Sequence, residues 1–196
     1  WGVARFGGVR AKARLEAAGV RCVVADLASG DLAKLPDDFS YALNFSVAKT
    51  HDWDRDLAAN AEGTGFLMHH CRRARAFLHC SSTAVYAPNG HERLRETSPL
   101  GDNHAAFGFM PTYSICKIAA EGIARFAARQ FGLPTLIARL NVPYGDSGGW
   151  PAVHLELLRA GKPIAVHESA PSLFNPIHED DLLAGLPRLL AAAWHV

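Results

Sequence analysis

The chain has 196 residues, of which 49% are hydrophobic and 20% charged, with 17 Gly and 11 Pro. That balance describes a globular domain large enough to bury a core and excludes a disordered tail, a collagen-like repeat or a coiled coil. Twenty Lys and Arg against nineteen Asp and Glu leave a formal net charge of +1, so no overall field favours nucleic acid or an anionic membrane surface.

In chain order, apolar runs of strand length alternate with longer segments of helical period, the pattern of a parallel sheet covered by helices. Residues 11–18 predict a helix stopped by Gly19, and 21–26 a short β-branched strand. A second strand is expected over 41–46, then a helix over 54–73 with Leu57, Ala61, Gly65 and Met68 near one face. Residues 76–80 predict a third strand that runs into Ser81-Ser82-Thr83. The stretch 88–111, rich in Gly, Pro, Asn and charge, predicts irregular chain. A strong helix follows over 112–131, closed by Gly132 and Pro134, with a fourth strand over 135–139. Beyond Gly145 the composition shifts to a crossing loop at 148–151 and a helix over 152–160, which marks a small appended region from about Asp146.

The four cysteines, Cys22, Cys71, Cys80 and Cys116, form no C-x-x-C pair and read as reduced thiols of a cytoplasmic protein. His69-His70 lies in no H-E-x-x-H frame, so no metal is expected. The cluster Arg72-Arg73-Ala74-Arg75 reads as a solvated face, no apolar run approaches the ~20 residues of a membrane helix, and no charged-then-apolar leader opens the chain. Neither nucleic acid nor membrane is an expected partner.

Three constellations carry chemistry. Tyr113 and Lys117 stand four apart on the strong helix, so phenol and ammonium share a face. A neighbouring cation favours the phenolate, which predicts a lowered phenol pKa and a usable acid/base; the plain alternative is a surface Tyr beside a Lys. Ser81-Ser82 closes a predicted strand, where ligands of open α/β sheets sit, although strand-end serines also serve as caps. Asp26 ends another strand, placed either to hydrogen-bond a nucleotide's adenine or ribose or to cap the turn before Gly30.

The stretch Phe77-Leu78-His79-Cys80-Ser81-Ser82-Thr83-Ala84-Val85-Tyr86, the Tyr113-x-x-x-Lys117 pair, Asn175-Pro176-Ile177-His178-Glu179-Asp180-Asp181 and Asn60-Ala61-Glu62-Gly63-Thr64 stand in this order. Together they resemble the NAD-dependent epimerase/dehydratase family, the extended short-chain dehydrogenase/reductases, over residues 3–190. The resemblance implies a Rossmann-like, doubly wound parallel α/β sheet. Residues 1–145 would form a partial dinucleotide-binding domain. Residues 146–196 would form a partial substrate-binding region, interleaved with a last strand near 173–178. By the same resemblance Ser82 is the catalytic hydroxyl, Tyr113 the acid/base and Lys117 its partner and a ligand of the nicotinamide ribose, with Asn60 completing the tetrad. Asp26-Leu27 looks like the step that contacts adenine, Phe45-Ser46-Val47 the stretch whose backbone follows the cofactor, and Lys49 a cofactor-contacting lysine of 4-epimerases.

Departures from the family pattern shape the rest. No G-x-x-G-x-x-G occurs, and Phe6-Gly7-Gly8 does not replace it; the chain enters at what resembles the family's second strand, residues 1–5. Because amides of that missing turn would cradle the pyrophosphate, and the first strand is central in such a sheet, the expectation is an unstable fragment of a longer protein that binds cofactor poorly alone. Arg5, with no acid beside it, points to NADP over NAD. Phe174 stands where an Arg would grip a nucleotide sugar's phosphate, Val142 where an Asn is usual (Asn141 lies one position early), and Thr83-Ala84 where 4,6-dehydratases carry Asp-Glu. Ser82, Thr83, Asn141, Trp150 and Phe174 would therefore line a site for a small substrate less anionic than a nucleotide sugar. The expected activity is NAD(P)-dependent hydride transfer to or from a secondary alcohol or ketone, by an oxidoreductase or an epimerase. Alternatives are a non-catalytic dinucleotide-sensing regulator and a nucleotide-sugar epimerase; a homodimer is compatible with each.

Overall fold

The computed structural model describes residues 1–105, 108, 110–146, 148–165 and 175–193. Its parallel strands fall in separate pieces. β1 (Gly2–Ala4) pairs with β2 (Cys22–Val24) across α1 (Val9–Ala17), and Gly19 at φ +82° supplies the left-handed turn between helix and strand. β3 (Tyr41–Asn44), β4 (Ala76–Ser82) and β5 (Thr135–Leu140) form a three-stranded sheet in that order. β6 (Pro143–Tyr144) and β7 (Ile177–His178) make a short parallel pair. Parallel strands need helical crossovers. A helical run of α2 (Trp53–Leu57), a π turn (Ala58–Glu62) and α3 (Gly63–His70) joins β3 to β4, and α4 (Tyr113–Phe131) joins β4 to β5.

The core lies between the three-stranded sheet and α3–α4. Ala120, Ala124, Ala127 and Ala128 recur at helical spacing along one side of α4, and these small side chains let the helix pack close to Phe77, Met68 and Leu133, all fully buried. Gly132 at φ +61° ends α4 as a left-handed cap.

Three elements differ from the sequence-based expectation. The helix expected over 54–73 contains the π turn, because Asn60 donates its side-chain amide to the Asp56 carbonyl and to Ala48 O, 2.8 and 2.9 Å away, and so perturbs the regular ladder. α5 (Trp150–Arg159) starts two residues before the expected helix, since Pro151 fits a helix's first turn. α6 (Glu179–Ala191) was not anticipated: Pro187 lies inside it, while Glu179, Asp180 and Asp181 fill its first turn, where carboxylates meet the helix dipole favourably. Of the strand expected near 173–178, β7 covers Ile177 and His178, and residues 173 and 174 lie outside the described residues.

Two irregularities carry measurable consequences. His79 on β4 is 1% exposed, and among the described residues neither ring nitrogen has a hydrogen-bond partner. Burial, aided by the Lys117 charge, pushes its pKa down to about 4. The unfolded imidazole takes up a proton near its ordinary ~6.5, so the folded state is undisturbed above that pH and loses stability as pH falls from about 6.5 to 4. The loss reaches about 3 kcal/mol. His79→Leu removes both unsatisfied atoms and this titration. The variant is expected to melt higher at pH 7, by the equivalent of about 1–2 kcal/mol, and to show a shallower fall of melting temperature between pH 6.5 and 4. Val142, between β5 and β6, sits at φ +38°, a region that a β-branched side chain resists and Asn tolerates. Val142→Asn is therefore expected to stabilise the chain by about 1 kcal/mol, read as a rise in thermal midpoint.

Candidate active site

The site forms where β4 ends against the start of α4. Adjacent residues of a strand point to opposite faces, and the two serines divide accordingly. Ser81, 2% exposed, donates to Glu121 on α4. Ser82 is half-buried, accepts from the Ala84 N–H at 3.2 Å and hydrogen-bonds Tyr113. Lys117, only 4% exposed, reaches up from the next turn of α4 and donates to the Cys80 carbonyl at 2.8 Å, with its Nζ 5.9 Å from the Tyr113 ring centroid. Serine, phenol and ammonium thus converge at one strand end.

Their electrostatics correct one expectation. The Tyr113 phenol is raised, not lowered: burial is the main cause, and the Ser82 hydrogen bond opposes it without prevailing. Burial likewise lowers the Lys117 ammonium, while nearby Cys80 and Glu121 favour its charge. Low dielectric outweighs the cation that i,i+4 spacing brings close. In this state the phenol keeps its proton at neutral pH.

Asn60 lies beneath the site and is spent on backbone. Its Oδ1 accepts the Ala48 N–H at 2.8 Å, and its amide serves Ala48 O and Asp56 O. The rest of the Asn60-x-x-Gly63-Thr64 motif works nearby. Thr64 donates to Asn60 O and accepts from the Asn44 amide of β3 at 3.0 Å, and a Cβ on Gly63 would stand 2.7 Å from the Leu27 side chain. The motif is thus a clamp that sets the helical run against β3 and against the 3-10 turn at Leu27–Ser29. A serine and a threonine hold the chain after β3 in similar fashion: Ser46 donates backbone and side chain to Asn44 Oδ1, and the Thr50 N–H and hydroxyl both reach Asp56.

The strand ends of β1, β2 and β3 open on a cavity of about 970 Å³ whose lining includes Arg5, Asp26, Leu27, Phe45, Ser46 and Val47. Asp26 caps the 3-10 turn through the Ala28 N–H at 3.1 Å and pairs with Arg55, which is the main reason its carboxyl titrates below the usual range. Of the two roles weighed for Asp26 the structure shows the cap, and the residue also borders the cavity. Arg5 is exposed at the end of β1, and Lys49 is exposed beyond β3 and near enough to depress Lys117. Apolar walls at Leu27, Phe45 and Val47 with a cation and a carboxylate at the rim fit a flat base and a hydroxylated sugar.

On the other side of β4, Thr83 donates to Asn141 Oδ1 at 3.2 Å, and the Asn141 amide donates to Asn175 O at 3.0 Å. Trp150, half exposed at the start of α5, stands 6.0 Å from the His154 ring. Phe174 lies outside the described residues. Among the described residues no group of three His, Cys, Asp or Glu could hold a metal ion, and no helix is long and apolar enough to cross a membrane.

Two polar centres escaped the sequence reading. Asp56, fully buried, accepts from Thr50, the His51 N–H and, at 2.7 Å, Thr112. Burial alone would raise its carboxyl, but these bonds more than offset it and hold it low. Glu121, one turn beyond Lys117, binds Arg139 of β5 through 2.9 and 2.7 Å contacts, and Arg139 also donates to the Tyr86 hydroxyl at 3.0 Å. The repeat Tyr113, Lys117, Glu121 on a single helix face was the signal available for the second.

A parallel α/β sheet with a Ser-Tyr-Lys cluster at a strand end defines a Rossmann-like dinucleotide-binding class. Residues 2–191 match the profile of the NAD dependent epimerase/dehydratase family, and the chain belongs to that family. No curated protein sequence matches it. Among solved structures it is similar to UDP-glucuronic acid 4-epimerase from Bacillus cereus in complex with UDP-glucuronic acid and NAD, at 17% identity and a TM-score of 0.76, covering 100% of this chain and 66% of that one. A double mutant of the dTDP-glucose 4,6-dehydratase DesIV from Streptomyces venezuelae, with NAD bound, gives 21% identity and 0.75 over 96% of this chain and 60% of that one. The Bordetella bronchiseptica enzyme WbmG, in complex with NAD and UDP, gives 18% and 0.76 over 96% and 59%. The chain thus spans about three fifths to two thirds of the length of these structures.

Proposed function

We propose that the intact enzyme transfers a hydride between a nicotinamide dinucleotide and a carbon bearing a secondary hydroxyl or carbonyl. The observation that carries this reading is the convergence of Ser82, Tyr113 and Lys117 at the end of β4. When bound, the cofactor supplies or accepts the hydride. Ser82 holds the substrate oxygen and Tyr113 moves its proton. In the reducing direction the phenol donates its proton to the oxygen as the carbonyl carbon gains the hydride; in the oxidising direction the phenolate takes the proton back. The raised Tyr113 pKa keeps the phenol in its protonated, donor form at neutral pH, and Lys117 steadies the phenolate left behind. Asn60 acts as a positioning residue through Ala48.

The substrate is a small hydroxy or keto compound less anionic than a nucleotide sugar. What supports this part of the reading is the sequence departure at Phe174, which stands where an Arg would meet a nucleotide sugar's phosphate and cannot neutralise one. The second reading, a nucleotide-sugar epimerase, is favoured by the UDP-glucuronic acid held by the Bacillus cereus enzyme. The test offers the intact enzyme both cofactors with small alcohols and ketones and, separately, UDP- and dTDP-sugars. Reduced-nicotinamide absorbance reports net oxidation, and NMR of the recovered product reports epimerisation. Turnover confined to nucleotide sugars selects the second reading; dinucleotide binding without turnover on either panel selects a sensing regulator.

NADP is the preferred cofactor, because Arg5 at the end of β1 can meet a 2′-phosphate by charge-assisted hydrogen bonds. Arg5→Ala is expected to weaken NADP by roughly tenfold or more and to leave NAD affinity within about twofold, as measured by calorimetric titration. A parent enzyme that binds NAD more tightly than NADP would contradict the preference.

A further inference from the structure

Residues 88–111 predict irregular chain, yet part of this stretch docks against the site. The Gly101 N–H donates to the Val85 carbonyl at 3.0 Å, on the 3-10 turn Thr83–Val85 that follows β4. Just beyond, the Asp102 carboxylate accepts the His104 N–H at 3.0 Å in a local turn. The half-buried His104 ring then meets the Tyr113 ring edge to face, with centroids 5.2 Å apart and an interplanar angle of 68°. Its Nδ1 lies 2.8 Å from the hydroxyl of Ser114, a fully buried residue whose oxygen is 2.7 Å from the Ala84 carbonyl. A serine has one proton to give. That proton goes to Ala84 O, so the Ser114 oxygen accepts, and the neutral imidazole of His104 carries its proton on Nδ1. Ala84 is held at its other end as well, since its N–H donates to Ser82 Oγ at 3.2 Å, and Ser82 bonds Tyr113. One line of hydrogen bonds therefore runs from His104 through Ser114 to Ala84, and a second from Ala84 through Ser82 to the phenol.

We infer that His104 is a positioning residue for the proton transfer assigned to Tyr113: through Ser114 it fixes Ala84, and so holds Ser82 and the phenol at hydrogen-bond distance. The inference rests on the roles of Ser82 and Tyr113 proposed above. Further along α4, Lys117 and Glu121 tie the helix to Cys80 and Ser81 of β4. At the 3-10 turn the tie is Ser114, one residue past Tyr113. His104 keeps that hydroxyl turned toward Ala84, because it occupies the oxygen with a donor and polarises the O–H it passes on. Without the donor, the Ser114 oxygen keeps an unmatched lone pair in a place closed to water. The turn then gains freedom at the point where it sets Ser82.

Two measurements on the intact enzyme test this, and the first reads no activity. At about pH 8 the imidazole, whose pKa burial lowers, is neutral. Nitrogen-15 NMR of the ring is expected to find Nδ1 protonated and Nε2 bare. In the second, kcat and KM are compared for the parent, His104→Phe and His104→Asn, well below their melting temperatures. Phenylalanine keeps the ring contact with Tyr113 and loses the donor, whereas asparagine loses the ring and returns an N–H near the place of Nδ1. His104→Phe is expected to lower kcat by about 10–10²-fold with KM within about twofold, the pattern of misplaced reacting groups rather than lost binding. His104→Asn is expected to regain kcat to within about threefold of the parent. A residue that only scaffolds the fold would show no such rescue. Nε2 protonated with Nδ1 bare overturns the inference. So does an active parent whose Phe variant keeps kcat within about twofold, or an Asn variant as slow as the Phe variant. A parent without turnover on either substrate panel removes the proposed reaction, and this role with it, whichever nitrogen carries the proton.

Discussion

Tyr113→Phe in the intact enzyme is expected to lower kcat by about 10²–10⁴-fold, the range for removal of a positioned general acid–base, while the thermal midpoint stays near that of the parent. The phenyl ring keeps its contacts with His104, 5.2 Å away, and with Lys117, 5.9 Å away, and only the hydroxyl that meets Ser82 is lost. Because burial holds the phenol above its ordinary pKa, the parent's rate of ketone reduction should be flat through neutral pH and fall on the alkaline side as the donor proton is lost. That alkaline limb should vanish in the variant's residual rate. A variant within twofold of the parent, or with the same limb, would remove Tyr113 from proton transfer.

Glu121→Ala is expected to cost about 3–5 kcal/mol of stability, read from the urea midpoint, the usual consequence of removing one partner of a buried ion pair. The side chains of Glu121 and Arg139 are only 3% and 12% exposed, and the guanidinium would be left among β4, α4 and Tyr86 without its countercharge. Glu121→Gln keeps acceptors for Ser81 and Arg139 and should lose less. Burial raises the Glu121 carboxyl, but the bonds from Arg139 and Ser81 outweigh it and leave the carboxyl below its unfolded value. Its contribution is therefore complete above about pH 4.5 and is lost as pH falls below that, a more acidic window than that of His79. Acid titration of His79→Leu and Glu121→Gln should remove separate parts of the same curve.

Local chemistry was legible from the residues. The helix over 112–131 and the shared face of Tyr113 and Lys117 follow from spacing, because a helix repeats every 3.6 residues whatever surrounds it. The strands that end at Asn44 and Ser82 follow from apolar runs bounded by polar turns. The motif order indicated the family, and the profile match over residues 2–191 agrees with it.

Other features were settled only in three dimensions. Spacing alone put a cation beside Tyr113 and predicted a lowered pKa; burial, which no local pattern reports, reversed the sign. The two neighbouring serines were chemically equal until strand alternation sent Ser81 to Glu121 and left Ser82 at the site. Thr112 and Asp56 are 56 positions apart, and Ser81 and Glu121 are 40 apart, so these contacts exist only once sheet register and helix packing bring the partners together. The residues by themselves determined which groups could do the chemistry. Desolvation and long-range pairing decided their protonation and their partners, because both depend on neighbours that only the folded chain brings near.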